Sequence, residues 1–324
     1  MKAMTRSVYG SADVLQFLDV ESPAPADDEV LLRVHAAGAG PEVWHLMTGQ
    51  PYLVRMMGFG LRKPKNPILG MDVAGVVERV GTDVTLVRPG DAVFGSCVGS
   101  FAEYACARAD KVAPKPVNLT WEQAAVLPTS GCTALQGLRD VGRIESGQSV
   151  LVIGASGGVG TFAVQLAKAF GAEVTGVCRT DAIDLVRSIG ADRVIDYTRE
   201  DFADGARRYD LILDTAGRRS LTHLRRVLTP RGTLVIVGGE GGGKWTGGFE
   251  RQILRAPLLS LAVRQRLRPL TSTARREDLI VLTELAEAGK LTPVINKTCA
   301  LSQAATVLSD ADEGHGRGKV VITI

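Results

Sequence analysis

The chain has little excess charge of either sign, few cysteines, and no long apolar run free of helix breakers. Thirty-eight Lys and Arg against thirty-five Asp and Glu leave a formal charge of +3 over 324 residues. That balance supplies no strong field for a polyanion, so nucleic acid is not an expected partner. The five cysteines, Cys97, Cys106, Cys132, Cys178 and Cys299, are odd in number and show no CxxC spacing. They read as reduced, buried thiols, and a disulfide-stapled fold is excluded. The longest uncharged stretch, Ser146 to Ala167, contains Gly147, Gly154, Gly157, Gly158 and Gly160, which makes it a poor lipid-spanning helix, so no membrane association is expected. Lys2 and Arg6 near the start are followed by no apolar run, so no secretory signal is expected and a cytoplasmic location is. No internal repeat is found.

The composition is otherwise that of a folded protein, with 45% hydrophobic and 23% charged residues, and the length suits two core-bearing units. Residues 1–121 read as short β-rich runs, EVLLRVHAA, MDVAGVVERV, DAVFG and FAEYACAR, separated by Pro, Gly and Asp turns, the pattern of a small barrel. Residues 122–265 change to apolar strands spaced by helical runs, VLVIG, EVTGVC, RVID, YDLILDTAG and TLVIVGG, the pattern of a parallel sheet with crossovers. Residues 266–324 pass through RLRPL and a helical run, EDLIVLTELAEAGK, to a terminal strand, KVVITI, expected to pair back with the first unit. The glycine-rich run Gly238 to Gly248 follows the strand TLVIVG, where loops of parallel sheets line the ligand crevice; a flexible linker is the alternative.

The most informative motif is VLVIGASGGVGTFAVQLAKAFGA, Val150 to Ala172. A buried strand leads into a glycine turn and then a helix, with Gly171 as its C-terminal cap. Backbone amides from Ala155, Ser156, Gly157, Gly158 and Val159 lie where a pyrophosphate approaches a helix N-terminus, and Gly160 lets the helix press on the sheet. A second strand, EVTGVC, follows at the βαβ interval, so a dinucleotide site is expected. An NAD reader carries Asp or Glu at the end of that strand. Here stand Cys178, Arg179 and Thr180, and a guanidinium beside a hydroxyl suits a 2′-phosphate, which makes NADPH the expected cofactor. Asp181 either caps the following helix or turns toward the ribose, which would weaken that preference.

GASGGVG with AVQLAK, the GADRVIDY segment, the PILGMDVAGVVERVG and PGDAVFG pair and the closing GHGRGKVVI resemble the medium-chain dehydrogenase/reductases, in their zinc-independent, quinone oxidoreductase-like branch. The resemblance covers nearly the whole chain. It implies an α/β fold in which a Rossmann doubly wound parallel sheet is inserted in a GroES-like β-barrel catalytic domain, with a cleft where the two meet. Zinc-dependent relatives place catalytic ligands at positions matching Gly40, Met71 and Thr129, none of which binds zinc well, and the structural-zinc lobe after the PGD turn is missing. No metal is therefore expected, and Cys132 in TSGCTAL reads as core packing.

Without a metal, a carbonyl is polarised by hydrogen bonds, or the substrate is itself a conjugated electrophile. The expected activity is NADPH-dependent hydride transfer to a quinone or an enone. A non-catalytic NADPH-binding redox sensor and an alcohol dehydrogenase are the alternatives. The resemblance places a proton-relay residue at His45, and an imidazole suits that task; a histidine satisfied by a backbone carbonyl is the plainer reading. Trp44 and Tyr52 are either aromatic walls for a planar substrate or core residues. By the same resemblance, Thr133, Tyr197, Thr215, Gly238 and Gly239 flank the cofactor, while Arg317 and Lys319 contact its phosphate or the substrate; a solvated turn is the alternative for the last two. His35, His223 and His315 are assigned no chemistry. A homodimer is expected, with TLVIVG as the sheet edge that pairs across it.

Overall fold

The protein, represented by a computed structural model, is described over residues 1–205, 207–238, 245, 255–310 and 318–324. It divides into two units, Met1–Cys132 with Ala274–Ile324, and Thr133–Thr273.

In the first unit β1 (Lys2–Thr5) and β2 (Gln16–Asp19) form a small antiparallel sheet. β3 (Glu29–Ala39), β4 (Asp72–Val80), β5 (Ala92–Ser96), β6 (Tyr104–Arg108) and β7 (Val112–Pro114) follow. The second unit contributes β8 (Ser149–Ile153), β9 (Glu173–Cys178), β10 (Arg193–Asp196), β11 (Tyr209–Asp214), β12 (Leu228–Ile236) and β13 (Arg266–Pro269). The chain then returns to the first unit with β14 (Ile295–Ala300) and β15 (Lys319–Thr323).

The larger sheet of the first unit runs β14-β15-β3-β4-β5-β7, with β6 also on β3. The long β3 pairs its first half with β6 and its second half with β15. The terminal strand thus joins the first unit as its sequence anticipates. Val30, Leu32, Val34, Val73, Val77, Val93 and Val112 form one core of this unit. A second core packs Val43, Leu46 and Met47 of the helix Pro41–Thr48 against Met4, Phe101, Leu301, Val307 and Ile322. Each fully buried side chain of this kind contributes roughly 1.5–3 kcal/mol.

The second unit is an all-parallel sheet in the order β10-β9-β8-β11-β12-β13. That is the doubly wound Rossmann order, and its crossover reverses between β8 and β11. β8, β9 and β11 are buried along almost their whole length, as strands covered on both faces must be.

Two expectations change here. β12, which contains TLVIVG, is not an edge: β13 pairs with it through Thr233–Arg266 to Ile236–Pro269. The outer strand of the described sheet is instead RLRP, with Leu267 buried and Arg266 and Arg268 exposed. The unit boundaries also differ from 121/122 and 265/266. Residues 122–132 group with the first unit, and the hydrogen bonds of β13 draw residues 266–273 into the second.

The turn after β8 depends on a close backbone approach. A Cβ on Gly160 would lie 2.0 Å from the Gly154 carbonyl oxygen and 2.8 Å from Ala155 Cα. Gly157 has φ near −77°, and a Cβ there would meet only the Gly154 oxygen, at 3.3 Å. Gly160→Ala is therefore expected to lower the unfolding free energy by ~1–3 kcal/mol. Gly157→Ala is expected to stay within ~1 kcal/mol of wild type, because its reduced unfolded-state entropy offsets the mild crowding. Urea unfolding of both variants checks this.

Candidate functional site

In the second unit the chain leaves β8 at Gly154, whose φ of +82° is left-handed. Gly154 and Ala155 both donate backbone N–H to the Val177 carbonyl of β9, at 3.1 and 3.0 Å, and Gly157 N–H donates back to Gly154 O. The helix Gly158–Ala169 then begins. Thr161 N–H donates to the carbonyl of the N-cap Gly157, so the N–H groups of Gly158, Val159 and Gly160 precede the helical ladder. The N-cap Gly157 offers no side chain and the first turn holds no acid. This helix end keeps its positive character for an anion. Ser156, Gly157, Gly158 and Val159 are half-buried, and Ala155 is buried.

Around this turn the sheet gathers several of the expected residues. Thr215, just past β11, donates its hydroxyl to Ile153 O at 2.8 Å, and a Cβ on Gly154 would touch Thr215 Oγ1 at 2.5 Å. Thr215 thus braces the end of β8 through its own side chain. Gly238 follows β12; a Cβ on it would lie 2.3 Å from Thr215 O, so its bareness serves backbone packing. Thr133 is buried in the helix Pro128–Gln136.

The end of β9 divides the trio expected there. Cys178 is 1% exposed, and burial with nearby Asp196 and Asp181 pushes its thiol up to about 11. Its side chain is core, and only its backbone remains for recognition. Thr180 is exposed and donates its hydroxyl to Asp196. Asp196, at the end of β10, also accepts from Thr198 N–H at 3.0 Å and Thr198 Oγ1 at 2.7 Å. The Thr180 hydrogen bond leads the effects that hold its carboxyl below the usual range. Arg179 is different: its side chain is 43% exposed, with Asp181 3.8 Å away. The N-cap positions of the turn Thr180–Ala182 and the helix Ile183–Ser188, Arg179 and Ala182, make no side-chain cap, and Asp181 pairs with the guanidinium. Tyr197, next to Asp196, is 43% exposed.

In the first unit the helix Pro41–Thr48 carries Trp44 and His45, both half-buried. His45 Nδ1 lies 2.7 Å from Gln50 O. A carbonyl only accepts, so Nδ1 carries the proton and Nε2 is the acceptor of the neutral ring. The Trp44 indole meets the imidazole edge-on at 5.2 Å and packs against the core. Tyr52 is half-buried under the Arg55 guanidinium, 4.8 Å from its ring centre.

Lys319 does not lie on a solvated turn. It is 2% exposed, with its ammonium 3.3 Å from Glu42 Oε1 and 3.9 Å from Asp72 Oδ2. Asp72 is fully buried and accepts from both the backbone N–H and the hydroxyl of Thr129. Burial pushes the Asp72 carboxyl up to about 7, against the pull of Lys319. Burial alone would lower Lys319, but Glu42 and Asp72 outweigh it and hold the ammonium above its usual value. Cys132 is buried and its thiol is pushed up to about 12 by burial, as a core residue. Gly239 and Arg317 lie outside the described residues, as does the run after Gly238 apart from Trp245. Among the described residues no group of three or more His, Cys, Asp or Glu is placed to hold a metal ion, and no helix is long and apolar enough to cross a membrane.

Glu42, Asp72 and Asp196 were not singled out from the sequence. Asp72 follows Met71 directly, in the GMD segment, so the signal present was an acid opening the apolar run VAGVV.

Residues 26–117 match the family model of the alcohol dehydrogenase GroES-like domain, and residues 189–322 match that of zinc-binding dehydrogenases. A chloroplastic quinone oxidoreductase of Triphysaria versicolor is 32% identical over 99% of this chain and 98% of its own length. A chloroplastic NADPH-dependent alkenal/one oxidoreductase of Arabidopsis thaliana is 32% identical over 99% of this chain and 79% of its own. The solved quinone oxidoreductase from Coxiella burnetii superposes with a TM-score of 0.86 at 29% identity, covering 100% of this chain and 99% of that one.

The raised Asp72 carboxyl makes a pH prediction. An unfolded aspartate releases its proton near pH ~4, whereas the folded protein keeps it to about 7. Between those values the native state binds more protons, so this group's contribution to stability falls as pH rises and levels off above. Denaturant unfolding from pH 4 to 8 is expected to show Asp72→Asn gaining on wild type across that window. Parallel curves would contradict the assignment.

Proposed function

Because the chain belongs to the medium-chain dehydrogenase/reductases, in their quinone oxidoreductase-like branch, we propose that it is a zinc-independent, NADPH-dependent oxidoreductase acting on a quinone or an activated alkene such as an enone. The observation that carries the cofactor assignment is the uncapped start of the helix Gly158–Ala169, reached through a turn that only glycine can close.

The residues present fit a dinucleotide. N–H groups of Gly158, Val159 and Gly160 converge on the helix axis with no acid beside them, which suits a diphosphate. The space beside Gly157 admits the approach of phosphate oxygens. Arg179, at the end of the second parallel strand, is the exposed cation in the position where an NAD reader would carry a carboxylate. It supports NADPH over NADH, with Asp181, 3.8 Å away, as the acid that a 2′-phosphate would have to outcompete. When bound, the nucleotide supplies a hydride for a polarised double bond. Negative charge then develops on the substrate oxygen and requires a proton. His45 is the candidate to provide it, since the bond from Nδ1 to Gln50 O leaves Nε2 to hold and pass on a proton.

The donor set argues against a catalytic zinc. Gly40, Met71 and Thr129 replace the expected ligands, Thr129 is engaged by Asp72, and the Lys319 ammonium lies beside position 40. A divalent ion placed there would meet an existing positive charge. The exposed β13 edge carries Arg266 and Arg268; a homodimer, if formed through this edge, must accommodate their charge.

Wild-type protein, stripped with a chelator, is expected to oxidise NADPH when given a panel of quinones and enones, followed by loss of nicotinamide absorbance. Gly157→Val is expected to keep a near-native melting midpoint yet show no saturable NADPH binding by fluorescence titration. A folded variant with intact binding would overturn the site. Arg179→Gln is expected to weaken NADPH roughly 10- to 100-fold, the scale of a lost charged hydrogen bond, while leaving NADH nearly unchanged. Equal losses for both nucleotides would remove Arg179 from the specificity role.

A further inference from the structure

Lysine is rarely buried, because its ammonium loses hydration that few protein groups replace. Lys319 is nonetheless 2% exposed. Strand register explains how it gets there. Val320 of β15 pairs with Ala39 of β3, and Asp72 of β4 pairs with Gly38. Lys319 and Asp72 therefore arrive on opposite sides of the Gly38–Gly40 stretch that ends β3. Neither glycine has room for a side chain. A Cβ on Gly38 would lie 2.6 Å from Ala125 O and 3.0 Å from Asp72 Cβ; one on Gly40 would lie 2.4 Å from Glu42 Oε2 and 2.7 Å from Lys319 Nζ. The ammonium and the Glu42 carboxylate together fill the volume that a residue at position 40 would claim.

Glu42 belongs to the first turn of the helix Pro41–Thr48, whose Gly40 N-cap makes no side-chain cap. The triad thus joins the start of that helix to β4 and β15. Thr129 fixes the far side of Asp72 with its N–H and hydroxyl. The Cys97 and Cys132 thiols feel the Asp72 charge, and burial raises both, so they stay neutral and Lys319 is the cation that offsets the two acids. A fully buried carboxylate and a half-buried one around a single buried ammonium make that cation indispensable, because removing one member of such a charge group strands the others.

We propose that Glu42 and Asp72 form an internal cation site whose occupant, Lys319, is a positioning residue: it fixes the start of the helix Pro41–Thr48 and thereby the placement of Trp44 and His45. The positions that the family resemblance matches to zinc ligands bracket this ammonium, Gly40 beside it and Thr129 behind Asp72. The chain carries a cation there as part of its own covalent structure. The effect on turnover rests on the reductase reading above; the cation site itself does not.

The test is chemical replacement of the ammonium. Lys319→Ala removes a propylammonium-sized group, so its melting midpoint is expected to fall and then to rise saturably with n-propylammonium chloride. Neither n-propanol nor sodium chloride at matched ionic strength should reproduce this, and wild type should not respond. The kcat for NADPH-dependent reduction is expected to drop roughly 10- to 100-fold, the scale of a misplaced reacting group, and to recover in parallel with the midpoint, while the KM for NADPH stays unchanged. Lys319→Met fills the volume without the charge and guards against a variant that does not fold; it is expected to fold with reduced kcat that the amine does not restore. Propanol acting as well as propylammonium, or Lys319→Met with wild-type midpoint and kcat, would overturn the proposal. If wild type reduces no quinone or enone, the reductase reading fails, and the amine-dependent midpoint still decides the cation site.

Discussion

The contact between Gly160 and the Gly154 carbonyl is the constraint from which the second unit takes its chemistry. Only a residue without Cβ lets the helix start so close to the strand it follows. That approach aims the first N–H groups of the helix Gly158–Ala169 past the end of β8, at the point where the sheet reverses its winding between β8 and β11. Thr215 and Gly238 support the same spot from the neighbouring strands, one by a hydrogen bond to Ile153 O and the other by leaving room for Thr215 O. The phosphate recognition proposed for this spot needs no dedicated side chain, because a helix terminus and its dipole supply the attraction.

The first unit solves a different problem, that of placing polar groups in an apolar barrel. Its valine-rich core leaves a charged island, Lys319 with Glu42 and Asp72, at the end of β3. Such an island adds little net stability over a hydrophobic alternative, but breaking it is costly, so it specifies one arrangement of the strands and helix that meet there. The helix so fixed bears the two side chains proposed to face the chemistry. Its C-terminal end is set separately, by Gly49 at φ +62° and by the His45 ring bonded to Gln50 O.

Much of this was legible in the sequence because it is local. Strand, glycine turn and helix follow one another within Val150 to Ala172, and the terminal KVVITI announced a strand that had to return to the first unit. What could not be read depended on pairing between distant segments. RLRPL is short and carries two arginines and a proline, yet β12 offers it a parallel partner and it closes the described sheet. Taken without that partner, TLVIVG looked like an edge. Asp196, brought alongside by the β9 and β10 pairing, accepts from the Thr180 hydroxyl, a contact that no local pattern announces. Lys319 is flanked by glycine in sequence, and only the register of β15 against β3 shows that it turns inward to Glu42.

The central claim, that main-chain amides at the start of one helix grip the diphosphate of the nucleotide, is tested most directly by following those amides. Transverse-relaxation-optimised 1H–15N spectra of isotope-labelled protein, titrated with NADPH, would report on Gly157, Gly158, Val159 and Gly160 one by one. Diphosphate binding at this helix end would move the Gly158, Val159 and Gly160 amide protons downfield, with saturation at one equivalent of nucleotide. Saturable binding that leaves these resonances in place while others move would contradict the claim.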